Sequence, residues 1–195
     1  MKFKIRYVDG LRIRNRIDPN FGVVGSSRIY PFIPIGEIWF DRRYMAEKKH
    51  FIRIHLYELM LMKKMTYEQA RKIIEKKFVS KIDTMPNFII KKVQYKGYLL
   101  KYVDGRIIRK YLDPKFILGC HSVGLEHGIM SKFMGKKEIW VDLSQDKLDQ
   151  KYSLIHEYSE AELMKKGMSY NDAHDYALAA EKQARRKDGA VYLQD

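Results

Sequence analysis

Hydrophobic and charged residues alternate at two places along the chain. Residues 3–17 alternate around the Asp-Gly pair that begins at Asp9, and the pattern returns in residues 98–112 around the pair that begins at Asp104. Alternation with a period of two is typical of a strand with one buried face, and Asp-Gly is a common turn between paired strands. The pattern therefore predicts a β-hairpin at each place.

These two stretches belong to a longer internal repeat. The Asp-Gly pairs that begin at Asp9 and Asp104 are 104−9=95 residues apart, and Phe21 and Phe116 keep that offset. A Glu-Ile-Trp sequence follows in both copies, now with an offset of 138−37=101. The second copy thus holds 101−95=6 extra residues in the intervening loop, assigned to the stretch around GCHSVGLEHG. Such a repeat predicts a tandem duplication.

Each copy ends in a pattern of two helices. The first pair is predicted over residues 42–64 and 66–77, and the second over 145–166 and from Ser169 onwards, with Gly167 in the turn. An additional strand is predicted over 87–95. The predicted fold class is α+β, in which each unit packs a small antiparallel sheet (a β-hairpin plus strands) on a two-helix hairpin. The predicted boundaries are 1–80 for the first unit, 81–86 for a linker, 87–187 for the second unit and 188–195 for a loose tail.

The second helix pair carries four side chains at spacings that suit a metal site. His156 and Glu160 are four residues apart, and His174 and Glu181 are seven apart, so each pair shares one helix face. The turn at Gly167 brings His174 level with Glu160. Two imidazoles and two carboxylates are therefore expected to converge between antiparallel helices as metal ligands.

Residues 156–160 spell His-Glu-x-x-Glu, which resembles the His-Glu-x-x-His helix of zincin metallopeptidases; Glu160 stands where that family has its second histidine. The resemblance covers about residues 152–186. It implies a zinc ion held by His156, Glu160 and His174, with Glu157 as the general base of a hydrolase. Coordination by Glu181 as well would close the site and make it structural. Iron and manganese remain alternatives to zinc.

The same region also resembles uncharacterised phage and archaeal proteins that share a His-Glu helix, a Gly-Met-Ser-Tyr turn and an Ala-His helix. That resemblance implies no activity. The first copy departs from the constellation, although it keeps His55 at the position of His156. The other positions carry Leu56, Arg71 and Phe78 in place of Glu157, His174 and Glu181. The first unit is therefore interpreted as degenerate and the second as the one with the site.

Positive charge is concentrated in the first copy. The net charge is +14; residues 1–85 hold 19 Lys+Arg and 9 Asp+Glu, a balance of 19−9=+10. A basic unit attracts nucleic acid or an acidic protein, or is simply a solvated surface. If nucleic acid binds, the residues expected to contact it are Arg12, Arg14, Arg16, Lys63, Lys64 and Lys77. A viral structural or assembly protein without catalysis is a further alternative.

The cysteine count and the hydropathy of the chain indicate the cellular compartment. Cys120 is the only cysteine, which favours a reducing compartment, and the thiol is expected to be buried or inert. The sequence has no apolar run long enough for a membrane span, so a cytoplasmic or virion-associated protein is expected. His121 and His127, both assigned to the loop inserted in the second copy, are expected either to cover the metal site or to be ordinary loop residues.

Overall fold

A computed structural model describes residues 3–79, 85–123 and 130–192 of the chain. The chain divides into two compact units. The N-terminal unit comprises the residues up to Phe78 together with those from Val191 onwards, and the C-terminal unit runs from Val79 to Ala190. Most of the predicted linker, 81–86, lies outside the described residues, as does His127.

The N-terminal unit contains a three-stranded sheet and three α-helices. Its elements are β1 (Lys4–Val8), α1 (Gly10–Arg16), β2 (Val24–Ser26), β3 (Glu37–Asp41), a 3-10 turn (Arg42–Glu47), α2 (Lys48–Leu61) and α3 (Tyr67–Phe78). The strand order is β1-β3-β2, with β1 parallel and β2 antiparallel to β3.

The C-terminal unit repeats this order and adds one strand at the edge of its sheet. Its elements are β4 (Ile89–Tyr95), β5 (Tyr98–Val103), α4 (Gly105–Tyr111), β6 (Gly119–His121), a 3-10 turn (Met130–Lys132), β7 (Glu138–Asp142), α5 (Lys147–Lys165) and α6 (Tyr170–Lys187). The strand order is β4-β5-β7-β6. The additional strand predicted before the second alternating stretch is therefore present.

The α+β class is confirmed, but the two predicted hairpins are wrong. Each alternating stretch is a strand followed by a short helix, because the Asp of the Asp-Gly pair caps a helix instead of entering a turn. The Asp9 carboxylate accepts a hydrogen bond from the backbone of Arg12 at 3.1 Å, and that of Asp104 accepts one from Arg106 at 3.0 Å. Side-chain acceptance at the first free amides is what stabilises a helix start.

A steric requirement explains why glycine follows each capping aspartate. A Cβ atom on Gly105 would lie 2.0 Å from a carboxylate oxygen of Asp142, and one on Gly10 would lie 2.0 Å from that of Asp41. Each of these aspartates accepts from a fully buried arginine: Asp142 from Arg109 at 2.7 Å, and Asp41 from Arg14 at 3.2 Å. The glycine therefore makes room for a buried ion pair.

The prediction of antiparallel sheets is wrong, because both sheets are mixed. In each unit the first strand of the alternating stretch pairs in parallel with the strand that contains Glu-Ile-Trp. Parallel neighbours require a crossover connection instead of a tight turn. In the N-terminal unit that connection includes α1 and β2, and in the C-terminal unit it includes α4 and β6.

The pairing registers of the two sheets follow the repeat in the sequence. Lys4 pairs with Glu37 in the N-terminal unit, and Leu99 pairs with Glu138 in the C-terminal unit, which gives 99−4=95 and 138−37=101. The short third strand behaves likewise. Ser26 pairs with Ile38, and His121 pairs with Ile139, which gives 121−26=95. His121 therefore lies before the inserted residues, in β6, and not in the inserted loop.

Both helix pairs are present; α2 begins at Lys48 after a 3-10 turn over the first predicted residues, and α3 extends to Phe78, one residue beyond its predicted end. The turn between α5 and α6 contains Gly167 at φ +92°, a conformation that favours glycine. The Ser169 hydroxyl accepts from the backbone of Asp172 at 3.3 Å and so caps α6 where the second helix was predicted to begin. In the N-terminal unit Thr66 and Gln69 form the reciprocal capping pair, at 3.0 and 3.3 Å.

Aromatic side chains fill the cores. Trp140 is fully buried against Phe88, whereas Trp39 is only partly buried. The tail is not wholly loose, because the hydroxyl of Tyr192 donates to the backbone carbonyl of Arg14 at 2.9 Å within the N-terminal unit. None of the described helices combines the length and apolar content that crossing a membrane requires.

Candidate metal centre

Small residues let α5 and α6 pack closely in the C-terminal unit. Ala161 on α5 and both Ala173 and Ala177 on α6 are fully buried. The turn at Gly167 folds α6 back along α5, so side chains on the facing surfaces of both helices share one interior space. His156, Glu160 and His174 lie there, and this is the place where the sequence predicted that they converge.

Three ligand-type atoms of these residues meet around one point. The His156 Nε2 atom lies 3.2 Å from Glu160 Oε2 and 3.2 Å from His174 Nδ1. The His174 Nδ1 atom lies 2.8 Å from the same Glu160 oxygen. His156 and Glu160 are buried and His174 is partly exposed, so the group could hold a metal ion with an opening on the side of His174.

The separations suit a small tetrahedral ion. Ligands at about 2.1 Å from a tetrahedral zinc ion lie about 3.4 Å from one another. The three observed separations of 2.8, 3.2 and 3.2 Å fall just below that value. A slight outward movement of each side chain therefore suffices, and two imidazole nitrogens with one carboxylate oxygen are a donor set that zinc, iron and manganese accept.

Glu181 lies on the far side of His156, not among the three converging atoms. Its Oε2 atom is 3.0 Å from His156 Nδ1, and its Oε1 atom accepts from the guanidinium of Arg185 at 2.9 Å. Arg185 also donates to Asp149 at 3.1 Å, and its guanidinium lies over the Tyr152 ring at 4.1 Å from the ring centre. A buried chain of charged groups thus fixes the orientation of the His156 ring.

His121 contacts the remaining oxygen of Glu160. Its Nε2 atom lies 2.8 Å from Glu160 Oε1, and both side chains are almost completely buried. The other ring nitrogen of His121 has no hydrogen-bond partner among the described residues. The two Glu160 oxygens therefore have different partners. Oε2 contacts His156 and His174 between the helices, and Oε1 contacts His121 of β6.

Glu157 is partly exposed and approaches β6 next to Gly119. A Cβ atom at position 119 would lie 3.1 Å from the Glu157 side chain and 2.8 Å from the backbone carbonyl of Trp140, so glycine leaves space for this glutamate. Burial raises the pKa of Glu157, against the attraction of the His156 and His121 rings. A carboxyl group with a raised pKa next to a candidate metal centre has the properties of a general base or acid.

Mutual hydrogen bonding sets the charges of the central pair. Burial alone would lower the pKa of His156, but its hydrogen bonds to Glu160 and Glu181 outweigh burial and raise that pKa to about 10. Burial alone would raise the pKa of Glu160, and its hydrogen bonds to His121, His156 and His174 instead hold it well below its ordinary value. Within this pair His156 thus carries positive charge and Glu160 negative charge.

The N-terminal unit lacks a comparable group among its described residues. His55 and Glu58 are buried, with 3.4 Å between His55 Nδ1 and Glu58 Oε2. Leu56 is exposed, and Arg71 pairs with Glu75 at 3.0 Å on the surface. Ser26 stands in β2 where β6 has His121. The depletion that the sequence indicated therefore extends to the strand side of the site.

Sequence reasoning missed three members of the surrounding network: Asp149, Tyr152 and Arg185. The spacing between Arg185 and Glu181 is four residues, which places both on one face of α6 and would have been the available signal. The partnership with Asp149 joins two helices and has no local signature. Burial raises the pKa of the Cys120 thiol well above its ordinary value, in agreement with an inert role for this cysteine.

The residues that were expected to contact nucleic acid differ in exposure. Arg14 is fully buried, and its guanidinium donates to the carbonyl of Phe21 at 2.8 Å as well as to Asp41. It belongs to the core and is not available to a phosphate. The others are exposed: Arg12, Arg16, Lys63, Lys64 and Lys77.

No relative offers a function that could be carried over to this chain. Comparison with protein-family models, with curated proteins and with solved structures found no match.

Proposed function

We propose that the C-terminal unit is a metal-dependent hydrolase centre of the zincin type, with a peptide or a similar acyl compound as substrate. The observation that carries this proposal is the triangle formed by His156 Nε2, Glu160 Oε2 and His174 Nδ1, with sides of 2.8 to 3.2 Å. Two imidazole nitrogens and one carboxylate oxygen thus converge on one point, and a slight outward movement of each would admit an ion between them.

In this proposal His156, Glu160 and His174 hold the ion, which we expect to be zinc. Zinc bound by three protein groups supplies Lewis-acid chemistry and makes water a nucleophile near neutral pH. Glu157 accepts the proton of the attacking water, because it follows His156 directly and lies beside the centre without belonging to the triangle. The partial exposure of His174 and Glu157 leaves access for a substrate.

The outer groups hold the ligands in place. Glu181, supported by Arg185, accepts a hydrogen bond from Nδ1 of His156 and so directs the Nε2 lone pair towards the centre. His121 holds Glu160 by the oxygen that does not face the triangle. Outer partners of this kind orient metal ligands and adjust their basicity. We assign Glu181 this positioning role in preference to coordination, which keeps one position open for water.

Glu157→Gln is expected to leave the metal content unchanged and to lower turnover by about 100-fold or more, since glutamine cannot accept the proton. The measurement is hydrolysis of a panel of fluorogenic peptides and esters, with the metal content of each sample determined in parallel. Glu162→Gln serves as the control, because Glu162 lies on the same helix and instead accepts from Tyr98 at 2.9 Å. Equal loss in both variants, or unchanged turnover in Glu157→Gln, would exclude Glu157 as the base.

Glu181→Gln is expected to weaken zinc affinity by about 10- to 100-fold without removing the site. The amide keeps the shape of the side chain but cannot accept from both Arg185 and His156 as the carboxylate does. Competition with a chromogenic chelator measures the affinity, and far-ultraviolet circular dichroism checks the helices. A complete loss of metal would instead identify Glu181 as a ligand and the centre as a closed structural site.

We further propose that the two units arose by tandem duplication and that the N-terminal unit has lost the metal centre. Three features support this: the common order of elements, the pairing registers that follow the offsets of 95 and 101, and the buried Arg–Asp pair present in both units. His55 matches His156, whereas Ser26 stands where the C-terminal unit has His121, so the two units share the fold but not the full site.

A further inference from the structure

The helical face of the N-terminal unit carries an open apolar groove. Its floor includes a row of side chains on α2 at four-residue spacing: Ile52, Leu56 and Met60. Leu56 and Met60 are 42% and 51% exposed, although both are apolar. The groove encloses about 910 Å³. Residues of one helix at four-residue spacing form a ridge against which a second helix packs.

The length and composition of this row suit a helical partner. Three residues at four-residue spacing extend over about 12 Å, or roughly two turns of a helix lying alongside. Met45 and Met60 contribute unbranched, adaptable side chains, which are favoured on surfaces that receive the apolar face of a helix. Within the described N-terminal unit this row is not covered by another element.

The rim of the groove is basic. Lys49, Arg53 and Lys77 lie along it, and no aspartate or glutamate is among the described residues that line it. The chain as a whole carries a net charge of +14, which disfavours a second copy as the occupant. Complementary charge requires acidic residues beside the apolar stripe of the partner.

The aromatic rings of the groove are already covered by cations. The Lys77 ammonium lies over the Tyr57 ring at 4.0 Å, and the Arg53 guanidinium lies over the Phe78 ring at 5.1 Å. Nucleic-acid surfaces of this type instead offer free ring faces on which bases stack. The remaining floor is aliphatic and cannot provide such stacking. These contacts favour a protein partner over a single-stranded nucleic acid.

We propose that this groove binds an acidic amphipathic helix of a partner protein. The apolar stripe of that helix packs against the row formed by Ile52, Leu56 and Met60, and its flanking carboxylates pair with Lys49 and Arg53. The proposal gives the N-terminal unit a binding function that does not depend on the metal centre.

The test uses a designed 18-residue helical peptide with leucines at i, i+4 and i+7 and glutamates on both flanks, labelled for fluorescence anisotropy. The full chain should bind it, and Leu56→Glu and Lys49→Glu should each weaken binding by about tenfold or more. Ile35→Glu and Lys63→Glu are the matched controls, because Ile35 is 93% exposed and neither residue lines the groove. Both controls should change the affinity by less than about twofold.

A peptide of the same composition in scrambled order, and one with lysines in place of the glutamates, should bind at least about tenfold more weakly. Absence of binding by the designed peptide overturns the proposal, as does equal weakening by groove and control variants. Binding of a single-stranded RNA or of phosphatidylserine vesicles that Leu56→Glu abolishes, while the peptide does not bind, overturns it in favour of that ligand.

Discussion

Replacing His174 by alanine is expected to remove stoichiometric metal from the protein while leaving the fold intact. His174 Nδ1 is one of three ligand atoms, and its loss leaves one imidazole and one carboxylate. Affinity for zinc should fall by more than about 100-fold, the upper end of the effect of losing an outer partner. Because the side chain is 32% exposed, its removal opens no large buried cavity. Metal analysis after dialysis against a weak chelator measures the effect.

Asp175→Ala is the matched control for this experiment. Asp175 is the next residue on α6 and is exposed, so its removal changes the local charge without touching the triangle. The control should keep one metal ion per chain. Retention of one equivalent by His174→Ala would show that the ion is held elsewhere.

Replacing Asp142 by alanine is expected to lower the free energy of unfolding of the C-terminal unit by about 3–5 kcal/mol. The carboxylate is fully buried and accepts from Arg109 at 2.7 Å, from the backbone of Gly105 at 3.2 Å and from that of Ser144 at 2.8 Å. Its removal leaves the Arg109 guanidinium buried without that partner charge. Urea denaturation of the Trp39→Phe chain, in which Trp140 is the remaining tryptophan, measures the change by fluorescence.

Two further variants test whether loss of the buried ion pair causes the destabilisation. Asp175→Ala, at a surface position, should change the free energy of unfolding by no more than about 0.5 kcal/mol. Asp41→Ala should reproduce the large effect in the N-terminal unit, because Arg14 occupies the position of Arg109. A loss below about 1 kcal/mol for Asp142→Ala would mean that the buried pair contributes no more than an ordinary hydrogen bond.

The positions of the metal-centre residues could be predicted because helices make spacing informative. His156 and Glu160 share a face through their four-residue separation, and the glycine turn fixes the level of His174. Their convergence is confirmed by the structure, while their role as ligands stays a prediction. The outer network could not be predicted from the sequence, because Asp149 and Arg185 are 36 residues apart and meet only when the helices pack.

The prediction of hairpins was wrong because the Asp-Gly pair is ambiguous. An Asp-Gly pair fits a tight turn, but it equally fits a capping aspartate followed by a residue without a side chain. What decides is Asp142, which occupies the space where a side chain at position 105 would lie. Such a contact between distant residues has no signal within a short window. The parallel pairing of β5 and β7 was not predicted either, because the two strands are separated in the chain by α4 and β6 and their contact has no local signal.

The repeat was the most informative feature of the sequence, because the sheets pair in the register that its offsets indicate. It also showed where the units differ. Leu56 and Arg71 in the N-terminal unit take the positions of Glu157 and His174; Leu56 is exposed, and Arg71 pairs with Glu75 on the surface. The assignment of His121 to an inserted loop was an error of alignment, since the extra residues follow it.

The metal content of the purified full chain decides whether the centre binds an ion. It is measured by inductively coupled plasma mass spectrometry and combined with X-ray absorption at the edge of the metal found. We predict one ion per chain, zinc in preference to iron or manganese, in a first shell of two imidazole nitrogens and oxygen ligands at about 2.0–2.2 Å. Less than about a tenth of an equivalent of any transition metal after incubation with zinc and desalting would contradict the account, and so would a first shell that contains sulfur.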